Sequence, residues 1–315
     1  MALNIPFTRS SFAADFKSKL SGVNVTLAYD NIESTLFKIG VELAQLIGQA
    51  LYDKICTSTA ATTVTDVPNV PTAAELNALA KDHLQYAMAN FAMYHHTIFL
   101  IAKIGNDGIT IKKGTDETTI YKYQQDQLEN KLITDAWFWM NQLIKVLEAN
   151  VERFTDWKNS AAQKSINEIP VKLDDFKKWL GISDEYFMLN TSWIVREVWN
   201  DCVLSRKKAP EKTDDIARAV CYETMARACI RLSYYCLPET IRLEINNEMD
   251  SKNKKDLSET YIREKVAITF QTKADAYWRA LDLKLSTEAI TETQGRASTQ
   301  TYKPQGSCEN DSFVY

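Results

Sequence analysis

Apolar positions recur along this chain at helical spacing. In IESTLFKIGVELAQLIGQALYDKI, residues 32–55, Leu36, Ile39, Leu43, Leu46 and Ala50 follow at steps of three and four. That period marks one buried stripe on an amphipathic helix. Gly40, Ala44 and Gly48 form a second, small-residue face, which suits close helix packing within the fold; a subunit contact is the other reading. A Thr-rich linker, TSTAATTVTDVPNVP, follows. Pro71, Thr72 and Glu75 then mark a new helix start, with Thr72 and Glu75 spaced as a capping box. This helix is predicted to run to about Lys103.

The pattern then changes. In IGNDGITIKKG, Asn106, Asp107 and Gly108 favour a turn, and the β-branched ITI favours a strand. A small β-hairpin or protruding loop is expected there. A long helix is predicted from about Asp116 to Phe154, carrying Tyr121, Leu128, Leu132, Trp137 and Trp139. A second linker, NSAAQKSINEIPVK, breaks the pattern near Pro170. LDDFKKWLGI reads as a short amphipathic helix ended by Gly181. SDEYFMLNTSWIVREVWNDCVL follows, with Phe187, Ile194 and Val198 on one stripe. Two more long helices are predicted after Pro210, over Asp214–Asn246 and Leu257–Ser286. Residues 287–315 are rich in Ser, Thr and Gln, show no periodic stripe, and read as a flexible tail ending in FVY.

A gapless shift of 140 residues pairs Tyr94 with Tyr234, Ile101 with Ile241, Asn106 with Asn246, Tyr121 with Tyr261, and DAWF from Asp135 with DAYW from Asp275. The order of long helix, polar break, long helix and aromatic pair recurs as well. The predicted fold is therefore mainly α: two tandem long-helix hairpin modules, a small β insertion and a flexible C-terminal tail. The expected boundaries are 1–158, 159–286 and 287–315.

Composition narrows the function. The chain has 315 residues, 45% hydrophobic and 25% charged, with a net charge of -4. That balance gives no concentrated basic field for broad nucleic-acid binding. SRKKAPEK, the densest basic run, falls between helices and reads as a solvated loop. TIFLIAKI is far shorter than the ~20 apolar residues a membrane span needs. With no apolar signal core at the N-terminus, a cytoplasmic site of synthesis is expected.

Six cysteines, Cys56, Cys202, Cys221, Cys229, Cys236 and Cys308, form no C-x-x-C pair. They read as small buried apolar residues. Cys229 and Cys236 are expected on one helical face.

No glycine-rich phosphate loop, H-E-x-x-H helix or G-x-S-x-G elbow occurs. The three histidines are His83, His95 and His96. On a helix His95 and His96 point about 100° apart, and His83 is about 120° out of phase with His95. No pair has the i,i+4 spacing of a helical metal site, so packing is the expected role of YHHTIF. A metal-assisted enzyme using these imidazoles is the less favoured alternative. Trp137, Trp139, Trp193, Trp199 and Trp278 all lie on helical stretches, as core residues or interface anchors.

One stretch carries a resemblance. YAMANFAMYHHTIFLIAKIGNDGITIKK, then a Trp-bearing helix and FTDWKNSAA, covers roughly Ala73 to Lys164. It resembles a family of virion-associated proteins of phages and prophages of Bacteroides-like hosts, and is similar to the head–tail connector (ring) proteins of crAss-like phages. The resemblance implies a phage structural protein without catalysis, metal or cofactor. It implies a homo-oligomeric ring, of twelve copies, assembled in the host cytoplasm and located in the virion below the portal. Its partners would be the portal protein and neighbouring tail or ring proteins. Genomic DNA would pass through the ring without sequence-specific binding, and no membrane would be involved. The residues expected at protein interfaces are Ile109, Ile111, Lys112 and Lys113 of the insertion, and Phe313, Val314 and Tyr315 at the C-terminus. A non-virion cytoplasmic helical interaction module is the alternative reading.

Overall fold

The computed structural model describes residues 3–20, 27–58, 72–105, 108–111, 122–206, 211–250 and 259–297. The fold is mainly α. A short helix α1 (Phe12–Ser18) opens it. Phe12 stacks on Phe16 with ring centroids 4.5 Å apart, and Phe7 meets Phe16 edge-on at 5.4 Å. These aromatics fasten the N-terminal segment to the core.

The predicted helix over residues 32–55 is two helices. Helix α2 (Tyr29–Ile47) stops at Gly48, and α3 (Gln49–Thr57) restarts beyond it. Gly48 has φ +96°, a conformation that side chains with a Cβ rarely adopt. The buried stripe crosses the joint on Ile32, Leu36, Ile39, Leu43 and Ile47, then Leu51 and Ile55; of the predicted stripe Leu46 is only half-buried and Ala50 is exposed, because the break at Gly48 shifts the helical phase. The small face is used inside the fold. A Cβ on Gly40 would lie 2.8 Å from Tyr52 Oη and 2.9 Å from Leu3 Cδ2.

Helix α4 (Ala73–Ile101) starts at the predicted capping box. The Glu75 amide donates to Thr72 Oγ1 at 3.2 Å, and the Thr72 amide donates to Glu75 Oε2 at 2.6 Å. The insertion is a hairpin of β1 (Ala102–Gly105) and β2 (Gly108–Ile111), antiparallel, with Ala102 opposite Ile111 and Gly105 opposite Gly108. Helix α5 (Lys122–Ala149) returns alongside α4. It ends short of the predicted Phe154, because residues 150–153 form a turn that seats Trp157 of α6 (Thr155–Lys158) in the core. The indole Nε1 of Trp157 donates to Glu148 at 2.9 Å.

The predicted second linker contains a helix, α7 (Ala161–Glu168), capped by Ser160 Oγ, which accepts from the Gln163 amide. Helix α8 (Leu173–Leu180) ends as expected at Gly181, φ +70°. The Gly181 amide reaches back to the Lys177 carbonyl at 3.1 Å, the bond of an αL cap, and the Ile182 amide reaches the Phe176 carbonyl at 3.4 Å. Helix α9 (Glu185–Val198) buries Phe187, Ile194 and Val198 and closes in a π-helical turn, Trp199–Leu204.

The predicted helix over Asp214–Asn246 is also broken. Helix α10 (Asp214–Arg231) stops before a 3₁₀ turn (Tyr234–Cys236), and α11 (Glu239–Asp250) starts after Pro238. Proline lacks an amide donor and forces Leu237 into extended backbone, φ -92° and ψ 146°. Cys229 and Cys236 therefore lie on different elements. Helix α12 (Glu259–Ala297) runs past Ser286 into the segment read as tail; residues 298–315, with Phe313, Val314, Tyr315 and Cys308, lie outside the described residues.

The α4/α5 and α10/α12 hairpins are the most extensive helix pairings. Small residues are buried on both helices, Ala217, Val220 and Ala228 on α10 and Ala267 and Ala274 on α12. Cys56, Cys221 and Cys229 are buried free thiols, as expected, whereas Cys202 and Cys236 are free but only half-buried. In both modules a glycine with positive φ, Gly48 or Gly181, separates two helices that pack on the first helix of the hairpin. The buried side chains form one continuous core, from Phe7 to Leu281.

Candidate functional site at the junction of the two modules

The modules meet through aromatic side chains. Tyr235, in the 3₁₀ turn, lies 4.9 Å from the His95 ring, edge-on, and 6.3 Å from Tyr94. These are the positions that the shift of 140 residues superposes, so corresponding parts of the two modules pack against each other. Phe91 lies 6.2 Å from Tyr235 and 5.9 Å from Tyr186 of α9. Trp137 of α5 meets Tyr186 edge-on at 4.9 Å, and its Nε1 donates to the Tyr235 carbonyl at 2.7 Å. Edge-to-face aromatic pairs add attraction beyond the area they bury.

Two polar groups tie the same elements together. Asn141 of α5 donates to Asp184 Oδ1 at 2.7 Å and accepts from the Tyr186 amide at 2.9 Å, so α5 caps the start of α9. Arg242 of α11 is almost wholly buried, 2% exposed. Its guanidinium donates to the Leu237 carbonyl at 2.7 Å and to Thr134 Oγ1 at 3.2 Å, and lies 5.5 Å from the Trp137 ring centre. The Leu237 carbonyl is exposed to this bond because Pro238 breaks the helix. Burial pulls the Arg242 pKa down and pushes the Asp184 carboxyl up.

Beside these contacts lies a cavity of about 300 Å³. Its wall comes from α2 (Ile39, Glu42, Leu46), α4 (Phe91), α9 (Tyr186, Asn190) and the turn at Tyr235 and Cys236. Tyr235 Oη donates to Glu42 Oε2 at 3.2 Å. Burial, with the Glu42 charge adding to it, keeps the Tyr235 hydroxyl protonated and pushes the Cys236 thiol up to about 12. Cys236 is thus held as a thiol, not a thiolate nucleophile.

The family model of DUF6712 matches residues 43–167 and 193–297. The chain belongs to this family of unknown function. Each matched segment holds one long-helix hairpin, and the cavity is lined from both of them, by Phe91 and by Tyr235 and Cys236. No curated protein and no solved structure matches the chain.

The histidines do not converge. His83 packs its ring 5.4 Å from Trp139, His95 faces Tyr235, and His96 is buried with its ring 5.6 Å from Phe99. Among the described residues no group of three His, Cys, Asp or Glu side chains could hold a metal ion. Burial lowers the pKa of both His83 and His95, and Lys38 lowers His95 further.

Of the expected interface residues, Ile109 and Ile111 fall on β2, opposite Ile104 and Ala102. Lys112 and Lys113 lie outside the described residues. Sequence reasoning missed the junction: Glu42, Tyr186, Tyr235 and Arg242 belong to no motif. Pro238 was its one legible signal, since a helix break places Tyr235 and Cys236 on a turn. Among the described residues, no helix is long and apolar enough to cross a membrane.

Proposed function

We propose that the chain is a phage structural protein, a head–tail connector that forms a ring below the portal and lines the channel for DNA. The family description names no function, so the reading rests on the sequence resemblance and on surface chemistry. The observation that carries it is the distribution of exposed apolar side chains. Leu79 and Phe138 are exposed on the α4/α5 hairpin, and Ile230, Ile268 and Leu283 on the α10/α12 hairpin. A closed ring of identical subunits needs one face to meet a different face of its neighbour. Two hairpins exposing different apolar side chains supply two such faces on one chain.

Two further features support the reading. The net charge of -4 limits adhesion to DNA phosphates in transit. The β1–β2 hairpin interrupts an otherwise helical module and suits a contact between neighbouring rings.

Size-exclusion chromatography with light scattering, followed by negative-stain imaging, tests the proposal on the full chain alone and with its portal protein. Rings are expected. Replacing Ile109 and Ile111 by Asp is expected to impair assembly while leaving the circular dichroism of the monomer unchanged. A chain that stays monomeric under both conditions overturns the connector reading.

A further inference from the structure

We infer that the junction cavity is a binding site for an organic cation, an alkylammonium or guanidinium group. Glu42 places a carboxylate on the cavity wall, and no lysine or arginine lines that wall to neutralise it. The hydrogen bond from Tyr235 goes to Oε2, so one neutral donor occupies one oxygen of a charged acceptor. Lys38 stands one turn earlier on α2, is exposed, and does not line the cavity.

The rest of the wall selects the kind of cation. Phe91, Tyr186 and Tyr235 contribute three aromatic rings, within 6.2 Å of one another where Phe91 pairs with each tyrosine. Aromatic rings attract ammonium and guanidinium groups through their negative faces. Ile39, Leu43 and Leu46 offer an apolar lining for an alkyl stem, and Gln45 and Asn190 offer amide groups. A metal ion is a poor fit, because Glu42 and Cys236 are the sole carboxylate and thiol on the wall and no histidine joins them. An anion would face Glu42 directly. A cavity of about 300 Å³ takes a butylammonium-sized group with space to spare.

The site stands independently of the connector reading. Its cation could come from a free amine or from a lysine or arginine side chain of another copy of this chain. Both present the same group to Glu42.

Calorimetric titration of the full chain with n-butylammonium, at low salt and against n-butanol as the uncharged control, tests the site. Butylammonium is expected to bind at least tenfold more tightly than butanol. Glu42→Gln keeps an acceptor for Tyr235 and is expected to weaken butylammonium about tenfold. Gln45 is exposed, so changes there spare the core; Gln45→Glu is expected to tighten binding and Gln45→Lys to weaken it. Equal affinity for butanol, or no response to all three substitutions, overturns the inference.

Sedimentation with and without saturating butylammonium then separates the sources. Dissociation of assembled copies supports a side chain from a second copy in the site, and unchanged sedimentation with calorimetric binding supports a free amine. Binding by a chain that forms no rings upholds the site and removes the connector reading.

Discussion

At the residue scale, burial decides the behaviour of the histidines. His83 and His95 both sit against aromatic rings, where the neutral imidazole is favoured and the folded pKa lies below the ordinary 6.5. Well above pH 6.5 both the folded and the unfolded chain hold these imidazoles neutral, and the native packing is at full strength. Below it the unfolded chain takes up protons that the fold resists, so stability falls with pH until the folded values are reached. Urea titrations between pH 7.5 and 5 are expected to show this decline. Replacing His83 and His95 together by Gln should flatten it. An unchanged slope would mean that other groups dominate that pH window.

YHHTIF was the most chemically suggestive stretch, and the spacing of its imidazoles along a helix pointed to packing. The structure agrees, because each ring has its own aromatic neighbour. The identity of those neighbours was not legible, since Trp139 and Tyr235 are remote in sequence from the histidines they meet.

At the scale of elements, glycine and proline decide where helices stop. Gly181 sits in the left-handed well that ends many helices, with open space around it. Gly48 has φ +96° and ψ 131°, outside that well. Alanine reaches the left-handed well at a cost of about 1–2 kcal/mol. It reaches the Gly48 conformation at about 1–3 kcal/mol. Gly48→Ala is therefore expected to lower the melting temperature more than Gly181→Ala, as measured by thermal denaturation. The opposite order would mean that α2 and α3 fuse without strain.

The apolar stripe could not reveal the break at Gly48, because leucines and isoleucines continue on both sides of it. The signal at Pro238 was plain, yet the periodicity on either side outweighed it in the sequence reading. Capping chemistry was more legible: Thr72 with Glu75, and the glycine after α8, act within three or four residues and need no tertiary partner.

At the scale of the molecule, the junction makes one core of two modules. Arg242 is its polar fastening, joining the turn before α11 to α5 and lying over Trp137. Arg242→Ala removes two charge-assisted hydrogen bonds and leaves the Leu237 carbonyl without this donor. A loss of about 2–3 kcal/mol in urea denaturation is expected. Coincident fluorescence and circular dichroism transitions in the parent chain would show that the modules unfold together. Separate transitions in the variant would show that Arg242 couples them.

The sequence by itself determined the helical class, the first long-helix hairpin, the hairpin insertion, the free thiols and the capping box. Each follows from local periodicity, composition or short-range hydrogen bonding. Tertiary structure alone decided that Glu42, Phe91, Tyr186 and Tyr235 surround one cavity and that Arg242 closes the junction beside it. Those residues lie up to 200 positions apart, and no periodic pattern records which helix faces will meet. Their meeting depends on the angles at Gly48 and Pro238, where the chain turns by backbone geometry rather than by hydrophobic pattern.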